Sequence, residues 1–294
     1  MKNLQSRALL AVALVLWLQG CSVLDHGFLN AQGPVAAHER HFFLIVCGIL
    51  LFVALPVLIL VPVIAWHYRL SNTHHAYRPK WTFSWTLEGF IWIPPIGIVV
   101  LLGFLLWPAT QRDDPYTRLA ERGAPLRVQA IGLDWKWVFV YPDEGIATVN
   151  ELAVPTGRAV QVELTSGTVM QSLLMPQLAG QIYAMAGMRT RLNFAADRNG
   201  RYLGENTQFN GRGFSHQKFD VIAMPEDAYQ MWLAGARAAH RPLDAQAWRT
   251  LSAAGLAQPG TYSTVPAGFF EQVMAEAGGP ALAGVHSHAS GPAR

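Results

Sequence analysis

Two long runs without a charged residue decide what this chain can fold into. Phe42 to Trp66 holds 25 consecutive uncharged positions, and Gly89 to Gln111 holds 23. About 20 helical residues cross a hydrocarbon core about 30 Å thick, so each run is long enough to span a bilayer once. Pro56 and Pro62 in the first run and Pro94-Pro95 in the second would disrupt a helix in water, but packed membrane helices tolerate them. Trp66 closes the first run, and Trp81, Trp85 and Trp107 flank the second, as expected at membrane–water interfaces. Composition agrees: only 14% of the residues are charged, against about 25% in ordinary soluble domains. The 22 Lys and Arg are scattered. No basic stripe offers itself to a nucleic acid.

Residues 67–87, between the runs, contain Arg69, Arg78 and Lys80 and no acid, whereas charges of both signs flank the runs on their outer sides. The positive-inside rule puts that loop in the cytoplasm. The start of the chain agrees. Lys2 and Arg7 precede an uncharged stretch, Ala8 to Gly20, which has the length of a signal-peptide core. It ends in Leu18-Gln19-Gly20-Cys21, which resembles the lipobox of bacterial lipoproteins. The expected layout is a signal peptide over 1–20, an exported segment over 21–41 lipidated at Cys21, spans over 42–66 and 88–111, and a cytoplasmic loop over 67–87. Both termini then lie on the periplasmic side of a bacterial inner membrane. The alternative is an ordinary signal peptide or an uncleaved anchor, with a chance cysteine. Cys47, inside the first span, reads as a small buried or lipid-facing residue.

Beyond a linker over 112–124 the pattern changes. Ala159 to Thr165 alternates apolar and polar residues, Phe219 to Ala223 does so less cleanly, and Trp135 to Tyr141 is rich in strand formers. Turn signals recur at Pro142–Gly145, Pro155–Gly157, Asp197–Gly200 and Asn210-Gly211. Short strands punctuated this often predict a β-sandwich or barrel over 125–224. A helical extension over 225–274 follows, with stripes at Tyr229, Trp232 and Leu233, then Leu243, Ala247, Trp248 and Leu251 behind an Asp244 cap, then Phe269, Phe270, Val273 and Met274. Residues 275–294, rich in Gly, Ala, Ser and Pro, read as a disordered tail. Its His286 and His288 are more readily incidental than a metal site.

Two stretches carry a resemblance: Gly132–Asn150 (GLDWKWVFVYPDEGIATVN) and Val169–Arg191 (VMQSLLMPQLAGQIYAMAGMRTR). With the two spans before them, they resemble subunit II of haem-copper terminal oxidases, most closely the bo-type ubiquinol oxidases. The resemblance implies a two-helix transmembrane hairpin followed by an extracytoplasmic cupredoxin-like domain and a small helical segment. In cytochrome c-oxidizing members that domain holds a two-copper centre, with ligands from an upstream His and a Cys-x-Glu-x-Cys-x3-His-x2-Met run. Here the upstream histidine position is Gln171. Both cysteine positions are asparagine (Asn206, Asn210), the glutamate is Gln208, the histidine is Phe214 and the methionine is Gln217. No cysteine occurs in 48–294, so the bridging thiolates that such a centre needs are missing.

The resemblance then implies a subunit that binds no cofactor, in a proton-pumping ubiquinol:oxygen oxidoreductase. Haems and one copper would sit in the catalytic subunit I, which would be its partner with other oxidase subunits and membrane lipid. Ubiquinol, not cytochrome c, would be the electron donor. The aromatic run Trp135–Phe139 would pack against the membrane subunit. Glu88 would stand at the mouth of a proton-uptake path, or would simply be a carboxylate favoured by a helix N-terminus. His216 is off register and reads as a satisfied or exposed histidine. Met170, Met175, Met185 and Met188 read as gap-fillers rather than thioether ligands. A reading of another class is an exported, membrane-anchored, cupredoxin-like binding lipoprotein outside any oxidase.

Overall fold

The computed structural model describes residues 27–69, 71–72, 80–119 and 122–286. The chain divides into two units, residues 39–114, and residues 1–38 with 115–294.

The first unit is built on α1 (Pro34–His67), whose first turns belong to the other unit, and α2 (Trp85–Arg112). α1 starts eight residues before Phe42, because Pro34 suits a first helical position and the following Ala36, Ala37 and Glu39 are compatible with helix. Pro56 and Pro62 lie inside α1, and Pro94, Pro95 and Pro108 inside α2. Both helices are apolar on every side: Phe52 is 74% and Phe104 78% exposed, and α2 buries no residue. A helix without a polar face needs lipid or protein around it. At about 1.5 Å per residue, the 34 and 28 residues exceed the thickness of a hydrocarbon core. At the end of α1 the Arg69 guanidinium lies 4.3 Å over the Trp66 ring and donates to the Trp66 carbonyl.

The second unit is a two-sheet β-sandwich. Its strands are β1 (Leu126–Leu133), β2 (Lys136–Tyr141), β3 (Ile146–Val149), β4 (Glu151–Pro155), β5 (Val160–Ser166), β6 (Gln171–Met175), β7 (Ala179–Ala184), β8 (Thr190–Phe194), β9 (Gly200–Asn206), β10 (Lys218–Met224) and β11 (Gly260–Tyr262). One sheet has the order β11-β3-β2-β1-β5-β8, the other β4-β10-β9-β6-β7. β1 pairs in parallel with β5, and β4 with β10; the remaining pairs are antiparallel. The chain passes between sheets at Asn150, whose φ is 55°. Its side chain fixes the crossing by accepting from Trp137 N (2.8 Å) and donating to the Ala257 carbonyl (2.7 Å). Gly145 and Gly157 adopt positive φ at two of the expected turns.

Alternation along β1 and β2 sorts side chains into two cores. Leu126, Val128, Ala130, Trp137, Phe139 and Tyr141 point between the sheets, where α3 (Glu226–Arg237) adds Tyr229 and Leu233. Ile131, Leu133, Val138 and Val140 point outward, under Leu243, Leu251, Phe269, Phe270 and Val273. That cover comes from α4 (Ala245–Ser252), α5 (Phe269–His286) and the segments around them. Asp244 caps α4 by accepting from Gln246 N and Ala247 N.

Three expectations change. The extension is not wholly helical: β11 pairs with β3 and lengthens the sheet. The chain does not turn into tail at Ala275, since α5 runs to His286; its alanines favour helix. Trp137 and Phe139 have no exposed surface and cannot pack against another subunit, because the sandwich uses that strand as its own core.

The residues before the first span dock on the sandwich. Gln32 N donates to the Gln177 carbonyl at 2.7 Å, and Asp197 N to the Gln32 carbonyl at 2.8 Å. A Cβ on Gly33 would lie 2.3 Å from the Ala195 oxygen, so only glycine fits there.

Candidate functional site

Four of the six positions that the family resemblance sets against copper ligands converge on one buried cluster. Gln171 opens β6, Asn206 closes β9, and Asn210 and Gln217 lie on the β9–β10 connection. Gln217, fully buried, is the hub. Its Nε2 donates to Gln171 Oε1 (2.5 Å) and to the carbonyls of Leu133 (3.2 Å) and Lys136 (3.3 Å). Its Oε1 accepts from Asn206 Nδ2 (3.0 Å) and Asn210 Nδ2 (2.8 Å). Gln171, also fully buried, donates from Nε2 to the Leu133 carbonyl (3.1 Å) and Thr168 Oγ1 (3.3 Å). Asn206 Oδ1 accepts from the backbone N–H of Ser172 and of Gln208, each at 3.0 Å.

A primary amide carries both donors and acceptors, so such a cluster can satisfy itself without a metal or a charge. Here it ties the β1–β2 turn, the start of β6 and both ends of the β9–β10 connection. Asn210 Oδ1 is a buried acceptor with no partner among the described residues. Two close approaches hold the frame. Gly132 leaves room for Gln171, whose Oε1 would lie 2.7 Å from a Cβ there. Trp135, at φ 69°, lays its ring on Gly213, where a Cβ would fall 2.2 Å from the indole, and donates from Nε1 to the Asn210 carbonyl (3.3 Å).

The remaining two positions differ. Gln208 takes part through its backbone. Phe214 turns to Phe209, with ring centroids 5.7 Å apart, and with Asn206 and Gln217 walls a cleft of about 390 Å³. The donor set does not fit copper. Neutral amides replace soft thiolates and imidazoles, and His216 is exposed beside Ser215 Oγ at 3.1 Å. Met175 is buried in the core, whereas Met170 and Met188 are exposed.

Glu88 lies in the other unit, in the first turn of α2, and Oε2 accepts from Trp92 Nε1 at 3.0 Å. Cys47 lies in α1 as a free thiol. Cys21, Arg78 and His288 lie outside the described residues. Sequence reasoning missed Gly132, Thr168 and Ser172. Nothing in a sequence marks a glycine as the space for a side chain that follows 39 positions later.

The fold and the cluster together define a class: a chain with two lipid-compatible helices and a β-sandwich that holds a buried amide cluster. No family model matches the chain. It is 38% identical over 266 residues to cytochrome bo(3) ubiquinol oxidase subunit 2 of Pseudomonas aeruginosa, covering 90% of this chain and 80% of that one. Ubiquinol oxidase subunit 2 of Acetobacter aceti is 37% identical over 263 residues, 89% and 85% of the two chains. Quinol oxidase subunit 2 of Bacillus cereus is 36% identical over 229 residues, 77% and 78%. Among solved structures, the periplasmic domain of cytochrome oxidase subunit II of Bradyrhizobium japonicum is similar, with TM-score 0.38 and 21% identity over 39% of this chain and 95% of that one. The chain belongs to the quinol oxidase subunit 2 family.

Proposed function

We propose that this chain is a subunit, without a redox centre of its own, of a proton-translocating ubiquinol:oxygen oxidoreductase in a bacterial inner membrane. The observation that carries the reading is the amide cluster: at positions where relatives that oxidize cytochrome c need thiolates and imidazoles, this chain has groups that neither bind copper well nor change oxidation state. Electrons from a lipid-soluble quinol need no relay through this domain. Haems and the oxygen-reducing copper belong in the large partner subunit, beside which α1 and α2 would pack. Cytochrome c has no part. The docking of Gln32 and Gly33 on the sandwich supports a topology in which the segment before the first span and the β-domain share one side of the membrane. The bias of Arg69, Arg78 and Lys80 makes that the periplasmic side. Relatives named as oxidase subunits do not favour a free-standing binding lipoprotein.

The test is mild-detergent purification through this chain, followed by a haem spectrum, metal analysis and quinol-dependent oxygen uptake. Haem, quinol oxidase activity and no copper attributable to this subunit are expected. A stable haem-free species, or copper bound by the isolated full-length chain at one or two per chain, overturns the reading.

Two finer roles belong to it. Cys21 carries the lipid anchor, so intact mass should show diacylglycerol and acyl additions on a chain beginning at Cys21; a mature chain beginning at Met1 ends that idea. Glu88 gathers protons at the cytoplasmic end of α2. Glu88→Gln should slow turnover per haem without changing the haem spectrum or subunit content, and Glu88→Asp should recover much of the rate. Unchanged turnover per haem in Glu88→Gln leaves Glu88 a helix-end carboxylate held by Trp92.

A further inference from the structure

The outer face of the six-stranded sheet holds a second polar site, on the opposite side of the sheet from the amide cluster. Where α4 ends over β2, β3 and β11 there is a cleft of about 310 Å³. Val149, Leu251, Leu256 and Pro259 supply apolar wall, and the functional groups converging on it include Lys136, Arg241 and Tyr262. Lys136 is 3% exposed, and its Nζ donates to the carbonyls of Leu251 (2.9 Å) and Ala253 (2.6 Å) at the C-terminal end of α4. An ammonium has three donors, so one N–H remains beyond those two bonds. The Arg241 guanidinium lies 4.6 Å over the Tyr262 ring and donates to its hydroxyl at 3.3 Å. That leaves further guanidinium donors and the tyrosine proton available.

No Asp or Glu lines the cleft, and neither cation forms an ion pair among the described residues. The acid acting on Lys136 is Asp134, which favours its charged form; burial acts more strongly in the other direction and lowers its pKa. A buried ammonium without a carboxylate is costly, and helix carbonyls offset only part of that cost. Two cations beside an apolar wall are the chemistry that recognises a small molecule bearing negative charge.

We propose that this cleft binds a small oxyanion-bearing molecule, a carboxylate or a phosphate, held by Lys136 and Arg241 with Tyr262 donating from its hydroxyl. Isothermal titration of the full-length chain in detergent, with inorganic phosphate and with citrate against chloride at matched ionic strength, tests it and separates the two chemistries. Saturable one-to-one binding of at least one of them is expected. Arg241→Gln should weaken it about tenfold, and Tyr262→Phe, which keeps the ring under Arg241, by a smaller factor. Arg249→Gln, on α4 but outside the cleft, should leave it unchanged. No saturable binding by either anion, or binding in Arg241→Gln equal to that of the unaltered chain, overturns the proposal. Equal weakening in Arg249→Gln does so too, since it marks general charge attraction.

Discussion

The two faces of the six-stranded sheet bury polar groups in opposite ways. On the inner side, Gln171, Asn206, Asn210 and Gln217 are neutral and divide their donors between one another and nearby backbone carbonyls. On the outer side, Lys136 is charged, has donors only, and turns to the backbone carbonyls of α4. The two arrangements nearly touch, since Gln217 Nε2 also donates to the Lys136 carbonyl. A set of amides can close on itself and lock loops in place; a lone ammonium cannot, and leaves binding capacity behind. The inner cluster therefore behaves as a rivet and the outer lysine as a latch beside an open cleft.

The sharpest way to break this contrast is Gln217→Leu. It leaves Asn210 Nδ2 and Gln171 Oε1 without their partners in a dry interior, and each orphaned group costs about 1–3 kcal/mol. A loss of about 3 kcal/mol in urea unfolding of the full-length chain is expected; a loss below about 1 kcal/mol means the cluster does not rivet the sandwich. Lys136→Met should cost less, about 1 kcal/mol, because losing two bonds to α4 is partly offset by removing a buried charge. Its signature is local: hydrogen exchange should quicken in α4 and β11 while β6 and β9 stay protected. Uniform quickening across both sheets would merge the two sites into one.

The smallest effect lies on the exposed rim. Arg127 donates to Asp143 from Nε at 2.9 Å and from Nη2, and that hydrogen bond, ahead of the Coulomb attraction, holds the Asp143 carboxyl below its usual range. A depressed folded-state pKa stabilises the fold above the unfolded value, about 3.9, and that contribution is lost as pH falls through the lower folded value. Carboxyl NMR should place the Asp143 midpoint below about 3.9, and Arg127→Gln should move it upward. A midpoint that does not move removes the pair from the account. Neither the rivet nor the latch should respond.

Much of this was legible along the chain. The uncharged runs announced α1 and α2, and alternation in Ala159–Thr165 and Phe219–Ala223 announced β5 and β10. The family resemblance singled out Gln171, Asn206, Asn210 and Gln217, and the fold brings those four together. β2 was less readable. Lys136–Tyr141 is buried at every position, because a second layer covers its outer face, and alternation is uninformative when both faces are apolar.

What the sequence alone determined is the solvent each segment needs and the chemistry of the ligand positions. Both are properties of residue type: a 25-residue uncharged run is too costly to leave in water, and an asparagine is not a thiolate wherever it sits. What only the tertiary structure decided is who completes whom. Gln171 needs the space left by Gly132, Lys136 needs carbonyls 115 and 117 positions away, and the strand of the extension needs the free edge of β3. Those partnerships depend on distances that form only when the chain closes, and local periodicity carries no record of them.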